Sequence, residues 1–384
     1  MKKKLINIIT SVSVVAALSL SIGITPAAAA GTATVTEANA SDTLTAFEKR
    51  YDLTDTGLVI DKLDFSGVKE IKTAAEWETY VKACVDRGYH FVFFKPAQGL
   101  TVDLNSFMNK YGITYAVTHK ITRSKVTYTG YEFTYPYATD ILNAVKAGKE
   151  SSLSEKHKKA LEAARTFLAG LPEGISDYDK ELAIHNYVCG AISYTQDRAL
   201  ENMTDCYGGL ILGRGNCASY TDAFNLLCGL SGFETGRVMC TVESGLHTLN
   251  YILIDGDYYF VDCTFDDGIS SDRGYGLFYF NLPYTTIAKS HALQDLPFTP
   301  SQTTTSDKGY YQHYGMFADS PDSLLQVYKK LASESTTGEL LFDTSKGNAS
   351  LIDMFQKYHP AGTSKISVSK TAIGNYQILK FSLN

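Results

Sequence analysis

The chain has 384 residues, with 41 acidic against 35 basic side chains, a formal net charge of −6 and 44% hydrophobic content. That acidic balance argues against nucleic acid or anionic lipid as a partner, because phosphate binding needs a basic footprint. The length suits two or three domains with ordinary cores.

The chain opens MKKKLINIITSVSVVAALSLSIGITPAAAA. Lys2, Lys3 and Lys4 form a positive start, 5–24 is mostly apolar, and the alanines after Pro26 offer A-x-A cleavage sites. This predicts a secretory signal peptide over 1–30. A membrane anchor is disfavoured, because small residues interrupt the apolar run and no basic stop-transfer flank follows. No Cys stands near the cleavage site, and the terminal LKFSLN is not a hydrophobic tail. The expectation is a secreted protein without a transmembrane anchor, of about 354 residues and net charge about −9 after cleavage. Residues 31–58, beginning GTATVTEANASDT, read as a flexible tether.

Next comes a pattern that recurs at the far end. Over 59–138, a helix at 73–86 with Thr73 and Glu76 as capping box is followed by the strand HFVFF, the helix LNSFMNKY, and the strands TYAVTHKIT and YEFTYPY. Over 299–384, the polar PSQTTTSD from Pro300 reads as a linker, and Ser320 caps a helix with Pro321 at its first position. ELLF, LIDMFQKY, SKISVSK and YQILKFSL then repeat the order strand, helix, strand, strand. An offset of 247 aligns Leu104 with Leu351, Lys110 with Lys357 and Tyr111 with Tyr358. The reading is two copies of a small αβαββ module flanking a central domain at 139–298.

That centre begins with helices at 154–168 and 176–192, the second with Ser176 and Asp179 as capping residues. A further helix carries Ala223, Phe224, Leu227 and Leu230 on one face. The strands RVMCTVE, HTLNYILI and YYFVDCTF follow. Helices first and antiparallel strands afterwards make the fold class α+β. Seven cysteines (84, 189, 206, 217, 228, 240, 263) leave at least one unpaired. Most sit in apolar segments, where a reduced Cys behaves as a small hydrophobe. Cys217 stands apart in a Gly-rich loop.

That loop, GRGNCASYTDAF, admits two readings. Gly213, Gly215 and Ala218 fit GxGxxA, and Glu234 stands near the place of a ribose-binding acid, but the following strands look like a hairpin rather than a βαβ crossover. The other reading is a nucleophile. Glycines permit a tight turn, Asn216 is a good N-cap, and a thiol in the first turn sees the helix's positive end, which favours thiolate. Free N–H groups there can also stabilise an oxyanion. A base and an orienting group are still needed, and His247 and Asp262 follow on strands joined by Asp255-Gly256. Taken as a two-residue type I′ turn, that dipeptide pairs Leu253 with Tyr258 and Tyr251 with Phe260, putting His247 and Asp262 on one face and Cys263 on the other.

Gly-x-Gly-x-Cys opening a helix, a Gly-x-His-x-x-Asn strand and VDCTFDD, in that order, resemble the transglutaminase-like superfamily of papain-like cysteine enzymes. SDYDKELAIHNYV with ISYT upstream and YFNLPYTTIAKSH downstream extend the resemblance over roughly 153–291. It implies a papain-like core of helices on an antiparallel sheet, with Cys217 as nucleophile, His247 as general base and acid, and Asp262 orienting the imidazole. Tyr207 is a candidate second oxyanion donor. Ala-Ser-Tyr follows the cysteine where many bacterial relatives have Gln-Gly-Tyr, which bears on pocket shape. His185 reads as structural, Asp266 and Asp267 as ending the strand or lining the cleft, and His291 as packing or capping.

Such a triad attacks an amide carbonyl and forms an acyl-thioester, which water hydrolyses or a lysine amine converts to an isopeptide. The expected substrate is a protein or peptide, cell-wall peptide among them. Nothing resembles a calcium loop, so neither metal nor cofactor is expected. The contrasting reading is a noncatalytic adhesion or scaffold protein that uses the flanking modules as binding surfaces.

Overall fold

The computed structural model describes residues 44–269, 274–299 and 308–384. The expected signal peptide, residues 31–43 of the tether and the PSQTTTSD linker lie outside the described residues.

The N-terminal module contains β1 (Glu70–Ile71), α1 (Ala74–Asp86), β2 (Phe91–Pro96), α2 (Leu104–Lys110), β3 (Tyr115–Arg123) and β4 (Val126–Thr134). Thr73 caps α1 by accepting from the Glu76 amide at 3.2 Å. Trp77, Tyr80, Val81 and Cys84 then form its buried stripe at helical spacing. The sheet runs β1-β2-β4-β3, with β1 parallel to β2 and the rest antiparallel. Residues 44–58 are the described part of the segment read as tether, and they depart from that reading. Phe47 and Leu53 are buried with Phe65 and Phe93 against one face of this sheet. They come in turns without a periodic pattern, which hid them in the sequence.

Between the modules come α3 (Tyr137–Lys146), α4 (Glu155–Ala169), α5 (Asp177–Ala191), β5 (Ser193–Tyr194), α6 (Cys206–Leu210), β6 (Arg214–Gly215) and α7 (Cys217–Leu230). The strands β7 (Thr235–Val242), β8 (Gly245–Ile254) and β9 (Asp257–Val261) follow, then α8 (Cys263–Asp267), α9 (Tyr284–Ile287), β10 (Ala292–Gln294) and α10 (Tyr310–His313). The sheet order is β10-β7-β8-β9, antiparallel throughout. Alternation along the strands divides the core. Ile252, Tyr259 and Val261 pack with Leu161, Ile184, Val188 and Phe224 of the helices. Val238, Leu249 and Phe260 pack on the other side with Leu277, Phe278 and Leu282.

The C-terminal module comprises β11 (Phe317–Ala318), α11 (Pro321–Glu334), β12 (Thr337–Asp343), α12 (Leu351–Lys357), β13 (Ile366–Ile373) and β14 (Tyr376–Leu383). Its sheet order, β11-β12-β14-β13 with the first pair parallel, repeats that of the N-terminal sheet. Each module also opens with a two-residue strand absent from the sequence reading, since only pairing defines an element so short. Leu341 and Ile378 of this module join the core beneath the central sheet. The N-terminal module is tied in by α2, where Ser106 Oγ and Asn109 Nδ2 donate to the Asp295 carboxylate at 2.6 and 3.0 Å.

Candidate active site

Two different constraints explain the glycines before Cys217. Gly213 has φ +66°, a turn conformation costly for other residues. At Gly215 the constraint is space, since a Cβ there would stand 2.2 Å from Ser219 Cβ. Asn216 caps α7 as expected, its side chain accepting from the Ala218 amide at 3.0 Å. The strands after α7 are antiparallel hairpins, so the βαβ unit of a dinucleotide fold is not formed. All seven cysteines are free, and Cys217 is the one that is not buried. Its backbone N–H lies in the first turn and has no acceptor among the described residues.

The β8–β9 hairpin delivers the partners. Asp255 and Gly256 take φ of 52° and 88°, the type I′ signature. Leu253 pairs with Tyr258 and Tyr251 with Phe260, the register expected from the turn. Asp262 stands one residue past β9 and begins α8. It keeps the strand's parity, so its Oδ2 lies 2.7 Å from His247 Nε2. Cys263 points into the layer of helices. Asp262 Oδ1 accepts the Phe265 amide at 3.0 Å, capping α8, and its own N–H donates to Tyr279 O at 3.0 Å.

Burial disfavours the imidazolium of His247, but the Asp262 hydrogen bond and the neighbouring Cys217 thiol outweigh it and hold the ring's pKa up to about 10. Burial would likewise raise Asp262, yet His247 and then His291 overcome it and keep the carboxyl at about 2. Cys240 sits opposite His247 on β7. Burial, then the charges at Asp262 and Cys217, pushes its thiol to about 12, so it stays protonated.

Helix and hairpin are stitched together beside these groups. Thr221 Oγ1 donates to Cys217 O at 2.8 Å and approaches Thr248 O at 3.2 Å. Asn250, the last residue of the Gly-x-His-x-x-Asn motif, donates to Thr221 O at 3.1 Å and Asn225 Oδ1 at 2.8 Å. The motif's Asn thus sets the distance between the thiol's helix and the imidazole's strand.

His247 and Asp262 are joined directly, and Cys217 is a neighbour that acts on the His247 ring, whereas Tyr207 is placed differently. Tyr207 lies in α6 and lines a hollow of about 390 Å³ with Lys156, Asn202, Leu212 and Arg214. Its hydroxyl makes no hydrogen bond among the described residues. The other acids and histidines are engaged elsewhere. His185 Nε2 meets Asp266 Oδ2 at 3.0 Å, and Asp266 also accepts the Phe278 and Tyr279 amides. Asp267 accepts the Tyr220 hydroxyl at 2.7 Å. Glu181, fully buried in α5, accepts from Asn281 Nδ2 at 2.8 Å, while its Oε1 and Asn281 Oδ1 have no partner. Burial pushes the Glu181 carboxyl up to about 8 against the pull of Asn281 and Lys308. A neutral acid avoids leaving an unpaired charge in the core.

Two groups bring ligand-type atoms within 4.8 Å of one another, His185–Cys189–Cys263 and His247–Asp262–His291. Both are hydrogen-bonded networks. Cys189 Sγ donates to Cys263 O at 3.3 Å, and the second group is joined through Asp262. His291, read from sequence as packing or capping, is 1% exposed and brings Nε2 to 3.1 Å from Asp262 Oδ2. The signal for it was its place at the end of the YFNLPYTTIAKSH motif, but only the tertiary fold assigns it a partner.

The mixed α+β centre thus sets a half-buried thiol at a helix start and a buried imidazole–carboxylate pair on the following hairpin. Residues 162–265 match the family model of the transglutaminase-like superfamily, so the chain carries a transglutaminase-like core. The matched segment contains Cys217, His247 and Asp262. No protein of curated function matches the sequence. Among solved structures, one described as a TGase is 13% identical with TM-score 0.27, covering 52% of this chain and 61% of its own. A candidate cysteine protease from Cytophaga hutchinsonii is 11% identical with TM-score 0.26, covering 47% and 66%. An arylamine N-acetyltransferase from Bacillus cereus with a Cys-His-Glu catalytic triad is 14% identical with TM-score 0.20, covering 29% and 50%. This chain spans less than two thirds of each of those chains. These are distant likenesses.

Proposed function

We propose that this protein is a secreted cysteine enzyme that opens amide bonds of proteins or peptides through an acyl-thioester. The observation that carries the reading is the accessible Cys217 thiol beside an imidazole whose far nitrogen is held by a buried carboxylate at 2.7 Å. The Cys217 thiol passes its proton to His247 Nδ1 and Sγ attacks the carbonyl carbon, the C–S bond forming as the carbonyl electrons move to oxygen. The unpartnered Cys217 N–H is aimed from the helix start and can receive that oxyanion. His247 then protonates the departing amine as the C–N bond breaks, leaving the thioester. Water or a primary amine next attacks the thioester and gives a proton to His247 as the thiolate leaves. Asp262 stabilises each imidazolium in the cycle and fixes the ring so that Nδ1 is left for the thiol. Tyr207 has no contact that supports an oxyanion role, and the Cys217 amide carries that role here.

Cys217→Ala tests the reading. Casein is incubated with wild type or variant, with and without a fluorescent primary amine. Amine incorporation marks transamidation, and new peptide termini mark hydrolysis. Loss of the nucleophile should cost on the order of 10⁶-fold in turnover, with the folded state intact because the site is half-exposed. Equal activity in the variant would end the enzyme reading.

A further inference from the structure

Asp262 is held by two imidazoles. His291 Nε2 and His247 Nε2 both converge on Oδ2, at 3.1 and 2.7 Å, while Oδ1 takes the Phe265 amide at 3.0 Å. We propose that His291, fixed by Ser290, is a positioning residue for the proposed reaction, setting the orientation and proton affinity of His247 through the carboxylate they share. This rests on the cysteine-enzyme reading above.

Three observations carry it. First, the tautomer is determined locally. Ser290 Oγ lies 2.8 Å from His291 Nδ1. Ionised Asp262 can only accept, so Nε2 carries the proton and donates to it, while Ser290 Oγ, which also has Ile287 O at 3.4 Å, stands beside the other nitrogen. Second, the backbone fixes the ring's origin, because the His291 amide donates to Ile287 O at 3.0 Å as the chain leaves α9. Third, the Phe265 ring sits 4.8 Å from both imidazoles. The two rings are 5.7 Å apart at 51°, so neither can rotate without displacing the phenyl. All three polar side chains are buried, where a lost donor is not replaced by water. A continuous series results: Ser290, His291, Asp262, His247, Cys217.

The direction of the effect follows from charge. Asp262 now divides its negative charge among three N–H donors. Removing His291 leaves more of it for His247, whose proton is then held more tightly, and the carboxylate gains freedom to turn. The other titratable groups around the pair are Cys217 from α7, Cys240 from β7, Cys263 and Asp266 from α8 and Tyr279 from the returning segment. None of them changes in the test.

The test compares wild type, His291→Met and His291→Gln, whose amide nitrogen can replace Nε2 as donor. Two readouts are taken: the His247 ring titration by NMR, and the pH profile of Cys217 alkylation by chloroacetamide. His291→Met should move the His247 midpoint and the alkaline limb of the alkylation profile upward, and slow alkylation at pH 7 as the imidazole loses its fixed orientation. His291→Gln should restore both toward wild type. A purely structural role would slow alkylation without moving the midpoint. An unmoved midpoint in His291→Met, or no restoration by His291→Gln, overturns the proposal. The NMR midpoint needs no turnover, so it decides the His291 coupling by itself. A wild-type Cys217 that reacts no faster than a free thiol would instead sink the enzyme reading.

Discussion

Gly215→Ala isolates one steric demand of the thiol loop. Gly215 does not have a positive φ, so the substitution adds a methyl group without backbone strain. That methyl would lie 2.2 Å from Ser219 Cβ, 2.4 Å from Ser219 Oγ and 3.1 Å from Met203 O. Carbon–carbon contact needs about 3.5 Å, so α7 and the loop must separate by about 1.3 Å. Overpacking of this kind costs about 1–3 kcal/mol. Displacing Ser219 also strains its 2.7 Å hydrogen bond to Asp205 O, worth about 1 kcal/mol. The total, about 2–4 kcal/mol, is a large share of the roughly 5–15 kcal/mol typical of folded domains. Urea unfolding measures the loss, and Cys217 alkylation reports the shift of the helix start. Ser219→Gly removes both obstructing atoms, so in the double variant a coupling of about 1–3 kcal/mol should return. A Gly215→Ala protein within about 0.5 kcal/mol of wild type, alkylated at an unchanged rate, would refute the packing account.

Other outcomes follow from the same geometry. Thr221→Val keeps the shape but removes the hydroxyl between Cys217 O and Thr248 O, and should cost about 1 kcal/mol in urea while slowing alkylation; faster alkylation would contradict it. His247 is held above its ordinary 6.5, so its contribution to stability is complete below that value and disappears as pH rises through about 10. Asp262 is held below its ordinary 3.8, so its contribution exists above that value and disappears as pH falls through about 2. Activity should accordingly fall on an alkaline limb near 10, and a limb near 7 would mean that Asp262 does not hold the ring. Glu181 is raised from 4.5 to about 8, so its contribution is complete below 4.5 and lost as pH rises through about 8. Glu181→Gln should stay within about 1 kcal/mol of wild type at pH 7 and flatten the decline between those values, as followed by thermal unfolding against pH.

Local chemistry made much of this legible in the sequence. Asp255-Gly256 demands positive φ at both positions, and that alone sets the register placing His247 and Asp262 on one side. Gly213, Gly215 and Asn216 announce a tight entry into a helix. What escaped depends on distant partners. His291 acquires its role only when the chain returns from 274–291 across the end of β9. Phe47 and Leu53 pack from turns, where no period betrays burial. Tyr207 lies on a five-residue helix, and nothing in the sequence says where a ring on so short an element points. Asp262 falls inside the expected strand YYFVDCTF, whereas it follows the last pair and caps α8.

That last position has an evolutionary consequence. Asp262 serves the imidazole with one oxygen and the first turn of α8 with the other, so losing it harms folding as well as chemistry. Purifying selection for a stable domain would therefore retain the carboxylate in a lineage that had abandoned catalysis. Its presence in a distant homologue is weak testimony about activity. The Cys217 sulfur is different: it is half-exposed and donates to nothing that holds the fold together. Drift at that single atom, rather than decay of the whole triad, is where a change of trade from enzyme to binder would first be written.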